Sequence, residues 1–317
     1  MPPQPIVRIG ARGSKLSMAQ AGMMQRRIAA ALGAPDRPEE VAPLVIITTT
    51  GDRIQDRRLL EIGGKALFTK EIEECLLDGR IDVAVHSMKD VPAELPPGLV
   101  IAAIPEREDP RDAFLSRGPA SIDDLAQGAR LGTASMRRQA QALHRRPDLQ
   151  IVMLRGNVDT RLAKLEAGEA DAILLALSGL NRLGLGHLAT SLIDPIDAPP
   201  APGQGALAIQ TRAEDADALW LGALRHEPTT LAVAAERGAL YALEGSCRTA
   251  IGAFAQLEGR TLSLIVEGLT PDGRQRFCRQ SKMELPAGQT EAAARAFGMQ
   301  LGDEVRIEGG HALVLKD

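Results

Sequence analysis

The chain has 317 residues, of which 44% are hydrophobic and 25% charged, the composition of a folded globular protein and not of a disordered or fibrous one. A net charge of −4 argues against a general nucleic-acid binder, and no run approaches the roughly 20 apolar residues of a membrane span. The start, MPPQPIVRIGARGSK, lacks the apolar stretch of a signal peptide, so a cytoplasmic protein is expected.

Residues 6–12 read as a strand, and Ala11-Arg12-Gly13-Ser14 as the turn into a helix over residues 15–32. Residues 41–50 read as a second strand. Residues 67–77 carry Phe68, Ile72 and Leu76 at helical spacing. The stretch 81–92, IDVAVHSMKDVP, alternates apolar and polar residues through Val85 and then presents Lys89 and Asp90 before Pro92 blocks a regular continuation. With 99–104 as a fourth strand, this βαβαβ order implies a mainly parallel sheet, whose strand ends are where ligands bind. Residues 105–110, two prolines around a charge run, read as a hinge.

The pattern then restarts, with strands at 113–115, 130–132, 151–154 and 172–177 and helices at 136–145 and 159–167. Residues 194–202 hold four prolines and form the return linker. Residues 206–210 are a strand too short to found a domain and are expected to rejoin the first sheet. From Pro228 the texture changes to a helix at 229–243, a loop Glu244-Gly245-Ser246-Cys247-Arg248, strands at 251–256, 262–267 and 276–281, and a helix at 290–301. Pro271-Asp272-Gly273 is the hairpin turn between the last two strands. The expected architecture is two α/β domains joined by two crossings, then a small α+β domain. Its boundaries are 1–105 with 203–224, 106–202, and 225–317.

Only seven of the 37 basic residues are Lys, and Arg is the residue suited to bidentate recognition of carboxylate and phosphate. Arg12-Gly13-Ser14 at a strand-to-helix turn makes an anion site, although Ser14 alone reads as a helix cap. Gly63-Gly64-Lys65 lacks the upstream Gly and the following Ser or Thr of a phosphate-binding loop, which removes nucleotide binding. Gly132-Thr133-Ala134-Ser135-Met136-Arg137-Arg138 repeats the first design, and Leu154-Arg155-Gly156-Asn157 with Arg161 repeats it again. Arg182 follows the strand end expected at 176–179. Five arginines after consecutive strand ends imply a ligand with several carboxylates or phosphates. Cys75, Cys247 and Cys278 form neither a CxxC pair nor a disulfide framework, and the five His show no zinc spacing, so no metal is expected. Cys247, with Arg248 to lower its pKa, reads as an attachment point. Cys75, Cys278 and His86 read as packed structural residues.

The segments RIGARGSKLSMAQA, TTTGDRI, GGKALFTKEIE, DVAVHSMKDVP, EREDPRDAF, LGTASMRRQAQ, LRGNVDTRL, ALSGLNRLGL, PGQGALAI and EGSCRTAIGAF, across residues 6–256, resemble the porphobilinogen deaminase (hydroxymethylbilane synthase) family. The resemblance implies two domains like type II periplasmic binding proteins, joined by a double hinge, and a third carrying the cysteine. It implies a dipyrromethane cofactor built from substrate and held by a thioether to Cys247. The implied enzyme deaminates porphobilinogen, couples four units head to tail and hydrolytically releases hydroxymethylbilane for haem biosynthesis. By family position Asp90 stabilises the cation left by ammonia loss, with Lys89 beside it. Lys89, Asp90, Ser14, Thr133, Ser135, Arg137 and Arg138 are expected to hold the cofactor. Arg12, Arg155, Arg161 and Arg182 are expected to bind substrate and the growing chain. Burying the cofactor's four carboxylates needs such cations, each charge-assisted bond contributing about 1.5–3 kcal/mol. Phe68 is a lid candidate or part of its helix's apolar face.

The expected partner is the small molecule porphobilinogen, with no nucleic acid and no membrane, on a monomer. The alternative is a non-catalytic, hinge-closing binding protein for a polyanionic small molecule, which leaves Asp90 and Cys247 without a role. Two departures from the family pattern are Glu61, where several relatives carry Lys, and Ser246, where many carry Gly.

Overall fold

A computed structural model describes residues 6–53, 68–243, 250–288 and 290–313. The features expected at Glu61, at Gly63-Gly64-Lys65 and at Ser246-Cys247-Arg248 lie outside the described residues. The chain forms two compact units, Met1–Glu108 with Ala206–Thr230, and Asp109–Gly205 with Leu231–Asp317.

In chain order the first unit holds β1 (Ile9–Arg12), α1 (Lys15–Ala31), α2 (Pro38–Val41), β2 (Leu44–Ile47), α3 (Thr50–Arg53), α4 (Lys70–Leu77), β3 (Val83–Ser87) and β4 (Leu99–Ala103). The second begins with β5 (Asp112–Ser116), β6 (Arg130–Gly132), α5 (Met136–Arg145), β7 (Gln150–Val152), α6 (Val158–Glu166), β8 (Ala172–Ala176), α7 (Leu177–Arg182) and β9 (Ser191–Leu192). The chain returns to the first unit with β10 (Leu207–Arg212) and α8 (Leu219–Gly222). It ends with α9 (Glu227–Leu243), β11 (Ala250–Glu258), β12 (Thr261–Leu269), β13 (Arg276–Glu284) and α10 (Thr290–Gly309).

The first sheet has the order β2-β1-β3-β10-β4. Strand β1 is parallel to β2 and β3, as the βαβ reading requires, but β10 is antiparallel to both β3 and β4. A parallel neighbour needs a helical crossover within its own sheet. β10 enters from the return crossing and is free of that constraint. The second sheet, β7-β6-β8-β5-β9, repeats the arrangement, with β5 antiparallel to β8 and β9. In both units, therefore, the strand just past a crossing is the one that runs against its neighbours.

The strand expected at 41–50 is only Leu44–Ile47. Pro38 opens α2 at a position where its missing N–H costs nothing. Pro43 cannot donate to a ladder. Beyond the strand, Asp52 accepts from Thr49 N at 3.2 Å and Thr49 Oγ1 at 2.8 Å, which turns the chain into α3.

The C-terminal strands β11, β12 and β13 form an antiparallel meander. Leu231, Ala235 and Ala239 of α9 pack with Phe297, Leu301 and Val305 of α10 over Leu264 and Val266 of β12. Val305 continues the apolar stripe past the helix end expected at residue 301, and α10 runs to Gly309. The two helices cross backbone to backbone: a Cβ on Gly298 would lie 1.8 Å from the Ala235 carbonyl oxygen.

Candidate active site

In the first unit, the chain leaves β3 through a single 3-10 turn, Met88–Asp90, anchored by the buried Met88. Lys89 and Asp90 are half-buried beside that anchor. A pocket with about 420 Å³ of empty volume, counted out to open solvent, lies at the C-terminal ends of β1 and β3. Arg12, Ser14, Gln20, Phe68, His86 and Asp90 contribute to its wall. Parallel strand ends are where an open α/β sheet leaves room for a ligand.

Each wall residue has a local cause. Ser14 caps α1, accepting from Ser17 N at 3.3 Å, so the helix-cap reading holds while the residue also lines the pocket. Gln20, on the buried face of α1, donates from Nε2 to Ser87 Oγ at 2.9 Å. Arg12 donates from Nε to Asp52 Oδ1 at 3.0 Å, and its Nη2 bonds the same carboxylate. Burial acts to raise the Asp52 pKa, but bonds from Arg12 and Thr49 hold it below the usual carboxylate value. The Arg12 guanidinium also stacks over Phe68, 4.2 Å from the ring centroid. The following helix begins only at Lys70, so Phe68 is not part of its apolar face and its ring belongs to the pocket wall.

His86 is only 5% exposed, as a packed strand residue should be, yet it reaches the same wall. Burial lowers its pKa to about 4, against the opposing pull of Gln210 and Asp90. Its Nε2 lies 2.9 Å from Gln210 Oε1, and Gln210 Nε2 donates to Glu73 Oε1 at 3.1 Å.

In the second unit Arg137 and Arg138 converge on Asp112, the first residue of β5. Arg137 Nη1 bonds Asp112 Oδ2 at 2.8 Å and Arg138 Nη2 bonds Oδ1 at 2.7 Å. Gln204 Nε2 donates to the same carboxylate at 2.7 Å. All four side chains are buried. Burial alone would raise the Asp112 pKa, but the two guanidinium groups hold it far below the usual range, so it stays ionised. Ser135 caps α5, accepting from Arg138 N at 3.4 Å, and Thr133 Oγ1 accepts from Ser135 N at 3.1 Å. Asn157 caps α6 through Thr160 N at 2.9 Å. Arg155 lies between β7 and α6, and Arg161 Nε donates to the Gly156 carbonyl at 3.0 Å. The strand end expected at 176–179 is instead the start of α7, which begins at Leu177; Arg182 closes that helix and donates to the Gly205 carbonyl at 2.6 Å.

The buried donors Arg137 Nε, Arg138 Nε and Arg155 Nη1 of this unit have no hydrogen-bond partner among the described residues. An unmet buried donor costs about 1–3 kcal/mol, and more when charged. A ligand bearing several carboxylates supplies the acceptors they lack, so this donor set fits a polycarboxylate cofactor.

The same unit ties α5 to the C-terminal sheet. Gln139 Nε2 donates to the Pro271 carbonyl at 3.2 Å, and His144 Nδ1 donates to the Gly273 carbonyl at 2.9 Å. Gly273 has φ +72, and a Cβ there would lie 2.5 Å from the Ala140 carbonyl oxygen, so only glycine fits this turn. Ala250, the first described residue after the cysteine loop, packs with Ala140 and Met136 of α5 and Leu269 of β12. The loop's foot and the hairpin turn thus rest on the helix that carries Arg137 and Arg138.

Asp112, Gln20, Gln204 and the pocket-facing role of His86 are absent from the sequence-based expectation. For Asp112 a signal existed: an acidic residue opening the apolar strand Asp112–Ser116 demands a buried cation. For His86 none did, because a strand pattern does not say which buried residue borders a cavity.

Two family models match the chain. One is the porphobilinogen deaminase dipyromethane cofactor binding domain, over residues 7–219, and the other the porphobilinogen deaminase C-terminal domain, over residues 230–306. The chain is 71% identical over 316 residues to a porphobilinogen deaminase of Caulobacter sp. strain K31, covering 99% of each chain. It is 71% identical over 320 residues to one of Phenylobacterium zucineum strain HLK1, covering 99% of this chain and 100% of the relative. Among solved structures it is similar to the methionine binding protein MetQ, at 15% identity over 69% of this chain and 89% of that one, with a TM-score of 0.44. A periplasmic substrate-binding protein of an ABC transporter from Coxiella burnetii aligns at 15% identity over 73% and 97% of the two chains, also with a TM-score of 0.44.

Proposed function

The chain belongs to the porphobilinogen deaminase family, and from that premise we propose which of its residues carry the reaction. Its activity is that of a transferase of tetrapyrrole biosynthesis. It deaminates porphobilinogen, joins four units head to tail on a dipyrromethane cofactor and releases hydroxymethylbilane by hydrolysis. The observation that carries this reading is the match along essentially the whole chain to the curated relatives. Incubation of the purified protein with porphobilinogen tests it: the substrate is consumed with release of ammonia, and a protein that consumes none contradicts it.

When bound, the cofactor supplies the α-free pyrrole carbon to which the first substrate unit is joined. Everything else falls to side chains. Each porphobilinogen brings an acetate and a propionate, and Arg12, Arg155, Arg161 and Arg182 receive these carboxylates. Arg12 is already held by Asp52, so the substrate carboxylate shares or displaces a partner there. Loss of ammonia leaves a cationic methylene-pyrrole. The Asp90 carboxylate on the pocket wall stabilises that charge and accepts the ring N–H, the kind of preorganised electrostatic contact that lowers a barrier most.

Lys89, Ser14, Thr133, Ser135, Arg137 and Arg138 hold the cofactor's carboxylates, and Cys247 carries it by a thioether. The donors left unmet on Arg137 and Arg138 support this reading, as does the packing of Ala250, three residues beyond Cys247, against α5. Asp112 keeps both arginines fixed without using up their donors. Phe68, stacked on Arg12, is the lid over that part of the pocket.

The same reading has the protein act as a cytoplasmic monomer, without nucleic-acid or membrane partners. No described helix is long and apolar enough to cross a membrane. It also has three domains, 1–105 with 203–224, 106–202 and 225–317. The second family model supports the last of these as a separate piece.

A further inference from the structure

We propose that His86 is a second acceptor in the pocket, its Nδ1 sharing with the Asp90 carboxylate, as a bifurcated hydrogen bond, the single ring N–H of the bound pyrrole. The proposal rests on the reading that this pocket receives porphobilinogen.

A chain of bonds running back from the pocket sets the state of His86. Glu73 of α4 is 7% exposed, and a carboxylate oxygen can only accept. The Gln210 group 3.1 Å from it is therefore the NH₂. That orientation leaves Gln210 Oε1 toward His86, and an amide oxygen can only accept as well. His86 Nε2, 2.9 Å away, must then be the protonated nitrogen. Burial keeps the imidazole neutral at pH 7 by lowering its pKa to about 4. A neutral ring has one N–H, so Nδ1 is left with a lone pair. No described residue donates to Nδ1, and His86 borders the pocket with Asp90 and Arg12.

The charges around the ring explain why neutrality matters. Asp90 and Arg12 act on it in opposite directions, and Glu73 stands behind Gln210. An imidazolium in this wall would repel the cationic methylene-pyrrole that Asp90 stabilises. A neutral acceptor instead orients the ring N–H and adds no positive charge. His86 is thus a positioning partner to Asp90, held in one tautomer by Gln210 and Glu73.

The test is the ¹⁵N spectrum of histidine-labelled holoenzyme, with the His86 signals assigned by their loss in His86→Gln. In the free protein near neutral pH, Nε2 is expected to be protonated and Nδ1 bare. Porphobilinogen in excess at low temperature should move the Nδ1 signal toward its hydrogen-bonded position and leave Nε2 in place. Glu73→Gln should mix the tautomers and lower kcat about tenfold, the rate equivalent of one lost hydrogen bond, with a much smaller change in KM. A protonated Nδ1 in the free protein overturns the proposal. So does an Nδ1 signal that stays still while porphobilinogen is being consumed. Absence of any consumption overturns the functional reading itself, and the proposal with it.

Discussion

Asp90 and His86 share one pocket wall but answer differently when the substrate becomes a cation. The role proposed for Asp90 is to supply the counter-charge, so Asp90→Ala should keep the cofactor, by mass, and lose about a hundred- to a thousandfold in turnover. Near-normal product formation would remove Asp90 from its role. His86 gives a prediction in pH. Its folded pKa of about 4 lies below the 6.5 of the unfolded chain. As pH falls from 6.5 through 4, the unfolded state therefore takes up a proton that the folded state refuses. Stability present above pH 6.5 is lost across that window, by about 3 kcal/mol in all. The paired carboxylates Asp52 and Asp112 have pKa values lowered from 3.8, so their loss of stability comes at lower pH. Denaturant unfolding at about pH 5 and about pH 7 should show this loss, and His86→Gln should flatten it; an unchanged slope contradicts the assignment. Residue identity alone carried Asp90, Lys89 and the arginines into view, because their chemistry is written in their side chains. It could not reveal Asp112 or the wall position of His86, which depend on what the fold brings within bonding distance.

Helix α5 is the element on which most of the second unit converges. Ser135 caps it, its first turn carries Arg137 and Arg138 onto Asp112, and its outer face receives the hairpin turn and Ala250. Asp112→Asn removes the charge but not the volume and leaves two buried guanidinium groups uncompensated. It should cost about 3–5 kcal/mol in denaturant unfolding, and a loss below 1 kcal/mol would show that the pair is not what it appears. The α9–α10 crossing pits two effects against each other. Alanine at Gly298 improves helix propensity by about 1 kcal/mol. Its Cβ, however, would sit 1.8 Å from the Ala235 carbonyl oxygen, a backbone atom that cannot yield without parting the helices. Overpacking of about 1–3 kcal/mol or more should win, and Gly298→Ala should melt lower than the parent; an equal or higher Tm contradicts the close crossing. Periodicity and caps made α5 legible at 136–145, to the residue. The same reasoning stretched β2 too far at both ends, since an apolar run says nothing of where Pro43 and the Asp52 turn cut it.

For the molecule as a whole, the chain crosses between its two units and returns, and each crossing delivers the strand that runs antiparallel to its neighbours in a sheet that also holds parallel pairs. The return of residues 207–212 to the first sheet could be argued from the isolation of so short a strand. Its direction could not, because direction depends on where the chain enters. Function was legible through ten motifs in order, a pattern far more specific than any one of them. How Arg137 and Arg138 serve both Asp112 and a ligand became arguable only once their buried, unmet Nε donors were located. The central claim is that Cys247 carries a dipyrromethane built from two substrate units. The intact mass of the purified protein tests it most directly, alongside Cys247→Ser. The parent should exceed its chain mass by two porphobilinogen units less two ammonias, and the variant should show the bare chain. A bare parent, or the same increment on the variant, contradicts the account.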